Sequence, residues 1–318
     1  MPKLYLESAP HTHSRSSATH MMLLVILALL PAAAAGCINY GREACLVLLT
    51  SVVSAVLFEG LSSLLFRRKL TVMDMSAAVT GLILGFLLPP DIELWKAAIG
   101  SFIAVVIVKQ LFGGIGRNIA NPAGTAWIAM LLLFTKDMTT WIDPITGAVT
   151  RVTPIISGGT AYWDLLLGNY AGYIGTGCAA ALLLGAVFLC FTGIISPAAP
   201  AAFLGSFALL SFLTGYDTIS EILTGSIILA ACFMASDYTT TPFMTSGKLM
   251  FGLGCGILAF LIRHYGGYAD SAVFAVVIMN LFTPMLNRIT RQRPFGAEIP
   301  QKQRKHRKKT DAAENVTV

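Results

Sequence analysis

Long apolar windows recur along nearly the whole chain and constrain its fold more than any other feature. Hydrophobic residues make up 55% of the 318 residues and charged residues only 12%, and the mean hydropathy is +0.72. A soluble core of this length cannot bury so much apolar surface. A bilayer core about 30 Å thick needs roughly 20 apolar residues per helix. The windows therefore predict an all-α polytopic membrane protein.

Ten windows suit a transmembrane helix in length and hydropathy. They cover residues 21–37, 44–66, 73–88, 94–112, 121–135, 174–193, 198–214, 219–235, 248–264 and 271–287. The first window has a second interpretation, because small residues precede Cys37 as in a secretory signal peptide or a lipoprotein cleavage site. Ala34 stands where a lipoprotein site carries a bulkier aliphatic residue. We therefore expect the mature protein to keep this helix.

Basic residues predict the orientation, since cytoplasmic loops are enriched in Lys and Arg. Those at 67–69, at 248 and in the tail from 288 fall on connections that share one side. Both termini are then cytoplasmic, and the basic tail is expected to touch anionic lipid, not nucleic acid. The resulting segments are an N-terminal segment at 1–20, a first membrane half at 21–135, an external loop at 136–173, a second membrane half at 174–288 and a tail at 289–318.

The external loop contains a polar stretch, residues 141–154, that is rich in Thr, Gly and Asp. Such residues are also ordinary turn formers. Because so few polar stretches interrupt this apolar chain, we expect the loop to carry its chemistry. Metal chemistry is not expected, since the six cysteines form no Cys-x-x-Cys pair and the histidines at 11, 13 and 20 have no partner cluster.

The two membrane halves share a pattern. A Thr-Gly pair at 80–81 is followed by a window ending in the Gly-Gly pair at 113–114, and a Thr-Gly pair at 224–225 is followed by one ending in the Gly-Gly pair at 266–267. Five windows per half is an odd number, so the second half enters the membrane inverted. We therefore expect two inverted five-helix repeats with broken helices.

Polar runs at 113–123 and 235–242 mark the broken helices, which are expected to meet near the membrane midplane. Unwound backbone at membrane depth needs protein, water or a ligand to satisfy its polar groups. The same polar side chains also suit capping of half-helix ends. The candidate binding residues are Asn118, Asn121, Asp237 and Thr239.

Charged residues inside the windows are few, and they are costly in a membrane unless they have a function or a partner. Glu59 lies in the second window and either serves an ion pathway or pairs with Lys109. Arg263 is expected to extend its side chain to the membrane interface.

Taken in order, four segments resemble the NqrB/RnfD family of membrane flavoproteins, and the resemblance covers nearly the full length. The short N-terminal region is closer to the Rnf branch than to the B subunit of the sodium-pumping NADH:quinone reductase. The segments are Gly-Gly-Ile-Gly-Arg-Asn-Ile-Ala-Asn-Pro-Ala at 113–123, Trp-Asp-Leu-Leu-Leu-Gly-Asn at 163–169, Ser-Asp-Tyr-Thr-Thr-Thr-Pro at 236–242 and the run from Gly-Gly-Tyr-Ala-Asp to Asn at 266–280.

The resemblance implies FMN joined by a phosphoester to a threonine of the external loop. The family motif is Asp-x-x-Ser/Thr-Gly-Ala-Thr-Pro-like, and Val149 stands where its acceptor threonine belongs. About four inserted residues separate the front of the motif from Thr153-Pro154, so Thr153 is the preferred acceptor and Thr150 the second. Loss of the covalent flavin is the alternative. At the helix breaks the resemblance suggests a second, noncovalent flavin, riboflavin.

The function implied is that of a subunit of an Rnf-type ion-translocating ferredoxin:NAD oxidoreductase, with Na⁺ or H⁺ as the coupling ion. Its partners would be the other Rnf subunits, including an outward-facing flavin subunit, and a flavin transferase. The chain shows no nucleotide or iron–sulfur motif, so by itself it would relay electrons without turnover. A channel or transporter for small polar solutes is the alternative, since an inverted repeat with broken helices suits it equally.

Overall fold

A computed structural model describes most of the chain. The described residues are 18–67, 72–114, 116–144, 147–150 and 161–291. Because the N-terminal segment up to residue 17, residues 151–160 and the tail from 292 lie outside them, the expectations placed on those segments stay predictions.

The first half is built from helices around the long helix α1. It consists of two helical segments that meet at a kink at Gly41, whose φ of 74° is not helical but is accessible to glycine without strain, so the first two windows lie on either side of the kink. The π-helix that follows α3 continues it without a break. The elements are α1 (Ala18–Leu65), a 3₁₀ turn (Val72–Asp74), α2 (Ser76–Phe86), α3 (Leu94–Phe102), the π-helix Ile103–Gln110, α4 (Pro122–Leu133) and α5 (Thr135–Met138).

A small hairpin and a short helix connect the two halves. Strands β1 (Trp141–Ile142) and β2 (Val149–Thr150) pair antiparallel, with Trp141 opposite Thr150. Helix α6 (Tyr162–Leu167) follows. Its C-terminal carbonyls, on Leu167 and Gly168, each accept a hydrogen bond of 3.1 Å from the Asn39 amide, which ties the connection to the bend of α1.

The second half again combines long helices with an interrupted one. Its elements are α7 (Ala179–Phe191), α8 (Ala198–Thr214), α9 (Thr218–Leu223), α10 (Ile227–Leu229), the π-helix Ala230–Met234, α11 (Thr245–Gly266) and α12 (Ser271–Thr290). Helices α8 and α11 pack closely through Gly252 and Gly256, where a Cβ atom would lie 2.4 Å from the carbonyl oxygen of Ala199 and of Phe203 respectively. Small residues spaced four apart commonly bring membrane helices together in this way.

A helix lies in each of the ten predicted windows. Three helices among the described residues are long and apolar enough to cross a membrane, namely α1, α11 and α12. Shorter apolar helices are α2, α4, α7 and α8. The expectation of a mainly helical, multi-pass membrane protein is confirmed. The third and eighth windows, predicted as single spans, are the short α2 and the interrupted pair α9–α10.

Candidate functional site

The two polar breaks meet in one pocket. The first break joins the π-helix ending at Gln110 to α4, and the second joins the π-helix ending at Met234 to α11. The space between its walls, counted out into the open solvent at its mouth, is about 910 Å³. Its polar lining side chains are Ser76, Thr80, Lys109, Asn118, Asn121, Ser236, Asp237, Tyr238 and Thr239.

The pocket lies at one end of the helix bundle. Its lining includes Met21 and Met22 in the first turns of α1, Ser76 at the start of α2, and Ile194 and Ile195 just beyond α7. The two breaks thus meet, as expected, and their expected position near the membrane midplane stays a prediction. Each break joins the C-terminal end of a π-helix to the N-terminal end of the following long helix, and both breaks line this one pocket.

All four predicted binding residues line this pocket, and two of them also cap backbone. The Asn121 side-chain oxygen accepts a 3.1 Å hydrogen bond from the Gly124 amide at the start of α4. The Asp237 carboxylate accepts hydrogen bonds from the Thr239 amide at 3.2 Å and the Thr239 hydroxyl at 2.7 Å. Binding and capping are thus compatible, because capping at these residues leaves them in the pocket wall.

Two buried polar atoms in the pocket wall have no hydrogen-bond partner among the described residues. They are the side-chain oxygen of Asn118 and the hydroxyl of Ser236. A buried polar atom left unpaired costs roughly 1–3 kcal/mol, so such atoms usually contact a ligand or water. They point to a polar occupant of the pocket. Ser236 is not among the binding residues predicted from the sequence, although it precedes Asp237 in the same polar run.

Lys109 joins the pocket to a buried ion pair. Its ammonium nitrogen lies 2.5 Å from a Glu59 carboxylate oxygen and 2.6 Å from the Ser76 hydroxyl. Glu59 is fully buried and Lys109 is 1% exposed. Of the two interpretations left open for Glu59, pairing with Lys109 is what the structure shows. Removing one partner of such a pair would leave a buried charge uncompensated.

A second buried polar cluster lies in the other half of the chain. The Arg263 guanidinium donates hydrogen bonds to backbone carbonyls of Glu221 at 2.6 Å and Ala269 at 2.7 Å. The expectation that Arg263 extends to the interface is wrong, because the break between α9 and α10 leaves carbonyls that it satisfies. Asp270 accepts a 3.0 Å hydrogen bond from the Ser226 amide on the other side of that break. The apolar window at 219–235 predicts one uninterrupted helix, so the break between α9 and α10 was not predicted from the sequence.

The hairpin is anchored to the bundle by aromatic side chains. The Trp141 ring packs edge-on against Tyr173 with centroids 6.0 Å apart, and Tyr173 packs in the same way against Trp127 of α4 at 6.2 Å. The Tyr173 hydroxyl donates a 2.9 Å hydrogen bond to the Met138 carbonyl.

Thr150 is half-buried at the end of β2, whereas Thr153 lies outside the described residues. Its role as acceptor stays a prediction.

Comparison with known proteins identifies the family. The model of the NQR2, RnfD, RnfE family matches residues 5–296. The chain belongs to this family. Membership in the NQR2, RnfD, RnfE family confirms the resemblance seen in the sequence.

Similar curated proteins are D subunits of ion-translocating oxidoreductase complexes. The chain is 36% identical to the D subunit of the Na⁺-translocating ferredoxin:NAD⁺ oxidoreductase complex of Acetobacterium woodii, over 95% of this chain and 98% of that protein. It is 34% identical to the D subunit of the proton-translocating ferredoxin:NAD⁺ oxidoreductase complex of Clostridium ljungdahlii, over 92% and 96%. It is also 34% identical to the D subunit of the ion-translocating oxidoreductase complex of Halorhodospira halophila, over 92% and 95%.

Three of the four segments that carried the NQR2, RnfD, RnfE resemblance lie at the two polar sites of the fold. The breaks at 113–123 and 236–242 form the pocket, and the start of the run at 266–280 supplies Asp270 of the second cluster. Among the described residues no group of three or more His, Cys, Asp or Glu side chains is placed to hold a metal ion.

Proposed function

We propose that the chain is the membrane flavoprotein subunit of an Rnf-type ion-translocating ferredoxin:NAD oxidoreductase and relays electrons between its partner subunits. The near full-length similarity to D subunits of ion-translocating oxidoreductase complexes, two of them named as ferredoxin:NAD⁺ oxidoreductases, supports this role. The observation that carries the flavin assignment is the pocket at the two helix breaks, with its unpaired buried polar atoms. Ferredoxin and NAD would be handled by the partners, and Na⁺ or H⁺ would be the coupling ion.

The pocket residues fit a noncovalent flavin, which the family resemblance suggests is riboflavin. An isoalloxazine ring is a flat apolar body with polar carbonyl and N–H edges, and the pocket combines apolar walls with polar side chains from both breaks. Asn118, Ser236 and Thr239 would hold the polar edge, and Ile83 and Phe233 would pack against the ring. When bound, the flavin supplies one- and two-electron redox chemistry that these side chains lack.

The covalent FMN would lie beyond the hairpin, at the other end of the bundle. A flavin transferase would direct the Thr153 hydroxyl, or that of Thr150, onto the FMN phosphorus of FAD. The new phosphoester bond forms as the pyrophosphate bond breaks and AMP leaves. The Trp141–Tyr173–Trp127 contacts support a relay role, because they join the hairpin by dense packing to the helix whose first turn lines the pocket.

The proposed topology has ten spans in two inverted five-helix repeats, with the pocket on the cytoplasmic side and the hairpin outside. A matching pair of buried cations supports the repeat. Lys109 and Arg263 each lie in the last turn of a helix, each is buried, and each precedes a Gly-Gly pair. Each also donates a hydrogen bond to the preceding short or interrupted helix, Lys109 to the Ser76 hydroxyl at the start of α2 and Arg263 to the Thr224 carbonyl in the break between α9 and α10.

The covalent assignment is tested by producing the chain together with its flavin transferase and recording flavin fluorescence in a denaturing gel. We expect a fluorescent band that disappears in Thr153→Ala and persists in Thr150→Ala. The opposite result would move the acceptor to Thr150. A dark band from the unaltered chain would contradict covalent FMN.

The noncovalent assignment is tested separately, by denaturing the purified chain and quantifying released riboflavin by chromatography. We expect Asn118→Ala and Ser236→Ala to release several-fold less riboflavin than the unaltered chain. Asn39→Ala is the matched control, because Asn39 lies at the bend of α1, away from the pocket. A chain that holds no flavin of either kind would favour the channel or transporter alternative.

A further inference from the structure

We propose that Lys109 and Glu59 tune the reduction potential of the pocket flavin in opposite directions. This inference rests on the proposed function, because it takes the pocket to hold a noncovalent flavin. It goes further in assigning an electrostatic role to an ion pair that would otherwise be only structural.

Lys109 faces the pocket, and Glu59 lies behind it. Lys109 is the basic side chain of the pocket wall, among the described lining residues, and it is almost completely buried. Glu59 lies behind it, with a carboxylate oxygen 2.5 Å from the Lys109 nitrogen, and the Gln110 amide donates a 3.3 Å hydrogen bond to the same oxygen. The lysine is thus the member of the pair that faces the pocket, and the glutamate is the more distant one.

The pocket wall also contains an acidic residue. Asp237 lines the same pocket, and its carboxylate is held by the Thr239 and Thr240 hydroxyls. The pocket therefore has one cation close to two carboxylates. The positive charge of Lys109 therefore lowers the electrostatic cost of placing further negative charge in the pocket.

The reduction potential of a flavin depends on the charges near its ring. Adding electrons to a flavin increases negative charge on its ring, which a nearby cation favours and a nearby carboxylate opposes. Charges away from water interact more strongly, because the effective dielectric constant is well below that of the solvent. Charge near the ring is a recognised means by which proteins tune a cofactor. Lys109 should therefore raise the reduction potential and Glu59 should lower it.

The experiment is a spectroelectrochemical titration of the noncovalent flavin, monitored by its visible absorbance. It uses the full chain in nanodiscs and carries both Thr150→Ala and Thr153→Ala so that covalent FMN does not contribute. Lys109→Met should lower the midpoint potential and Glu59→Gln should raise it. Each midpoint potential should shift by about 30 mV, which for a two-electron couple is a tenfold change in the ratio of oxidised to reduced flavin at a fixed potential.

Two controls separate this role from a purely structural one. Lys109→Arg keeps the positive charge and should keep the potential. Lys96→Met removes a lysine outside the pocket, which pairs with Asp137 at 2.7 Å, and should also leave the potential unchanged. A merely structural Lys109 would change flavin content or stability without opposite shifts in potential.

The outcomes are distinct. Shifts of the same sign in Lys109→Met and Glu59→Gln, or no shift in variants that retain flavin, would overturn the inference and leave the proposed function standing. A parent chain that purifies without noncovalent flavin would overturn both. If Lys109→Met fails to fold, Glu59→Gln alone decides, and an unchanged or lowered potential refutes the tuning role.

Discussion

Gly256→Ala should destabilise the bundle by forcing helices α8 and α11 apart. A Cβ atom at Gly256 would lie 2.0 Å from the Ser206 hydroxyl and 2.4 Å from the Phe203 carbonyl oxygen. The serine side chain can rotate away, at the loss of its 3.1 Å hydrogen bond to the Phe203 carbonyl. The carbonyl belongs to the helix backbone, so it moves only if the helix moves.

The required displacement follows from ordinary contact distances. Reaching 3.4 Å, the lower limit of ordinary contact, from 2.4 Å needs a separation of 1.0 Å between the two backbones. Overpacking of this kind costs typically 1–3 kcal/mol, whereas replacing a helical glycine by alanine gains roughly 0.5–1 kcal/mol. We expect a net loss of about 1 kcal/mol, equivalent to a melting temperature lower by roughly 2 °C.

The assay is thermal unfolding of the detergent-solubilised chain, followed by the fraction that remains monodisperse in size-exclusion chromatography. Gly205→Ala is the matched control, because Gly205 lies in α8 and a methyl group added there would have no atom within 4 Å. We expect the Gly205 variant to melt at or above the temperature of the parent. Equal melting temperatures for the two variants would refute the close-packing argument.

Three further predictions use the same unfolding assay. Lys109→Met should cost about 3–5 kcal/mol by leaving Glu59 buried without its cation, and adding Glu59→Gln should recover most of the loss; a double variant as unstable as the single one would contradict this. Asn121→Ala should cost about 1 kcal/mol, as expected for a lost N-cap, and Asn121→Asp should restore stability; equal losses in both would exclude capping. A hydrogen bond from Ser220 lowers the pKa of the Asp217 carboxyl below its usual 3.8, so its stabilisation is present above that pH and is lost as the pH falls through the lowered value. Asp217→Asn should not show this loss of stability at acid pH, and a variant with the same pH dependence of stability as the parent would contradict the prediction.

Much of the site was readable in the sequence because polar residues are conspicuous in an apolar chain. Asn118 and Asp237 attracted attention as parts of the two polar runs, and both line the pocket. Ser236 and Lys109 were not assigned to it, because a serine beside an aspartate or a lysine at a helix end has many ordinary explanations. Their place in the pocket depends on how distant helix ends converge, which no local pattern records.

The sequence by itself determined that this is a multi-pass helical membrane protein, since hydropathy reflects a transfer free energy that each segment carries with it wherever it packs. It also determined which polar runs interrupt the helices and to which family the chain is similar. Only the tertiary structure decided that both breaks lie at one end of the bundle and that Glu59 pairs with Lys109. The same holds for Arg263, which satisfies backbone carbonyls of an interrupted helix. These contacts join residues some 40 to 50 positions apart. Helix packing determines which groups lie next to a buried charge, and the neighbouring residues in the sequence do not.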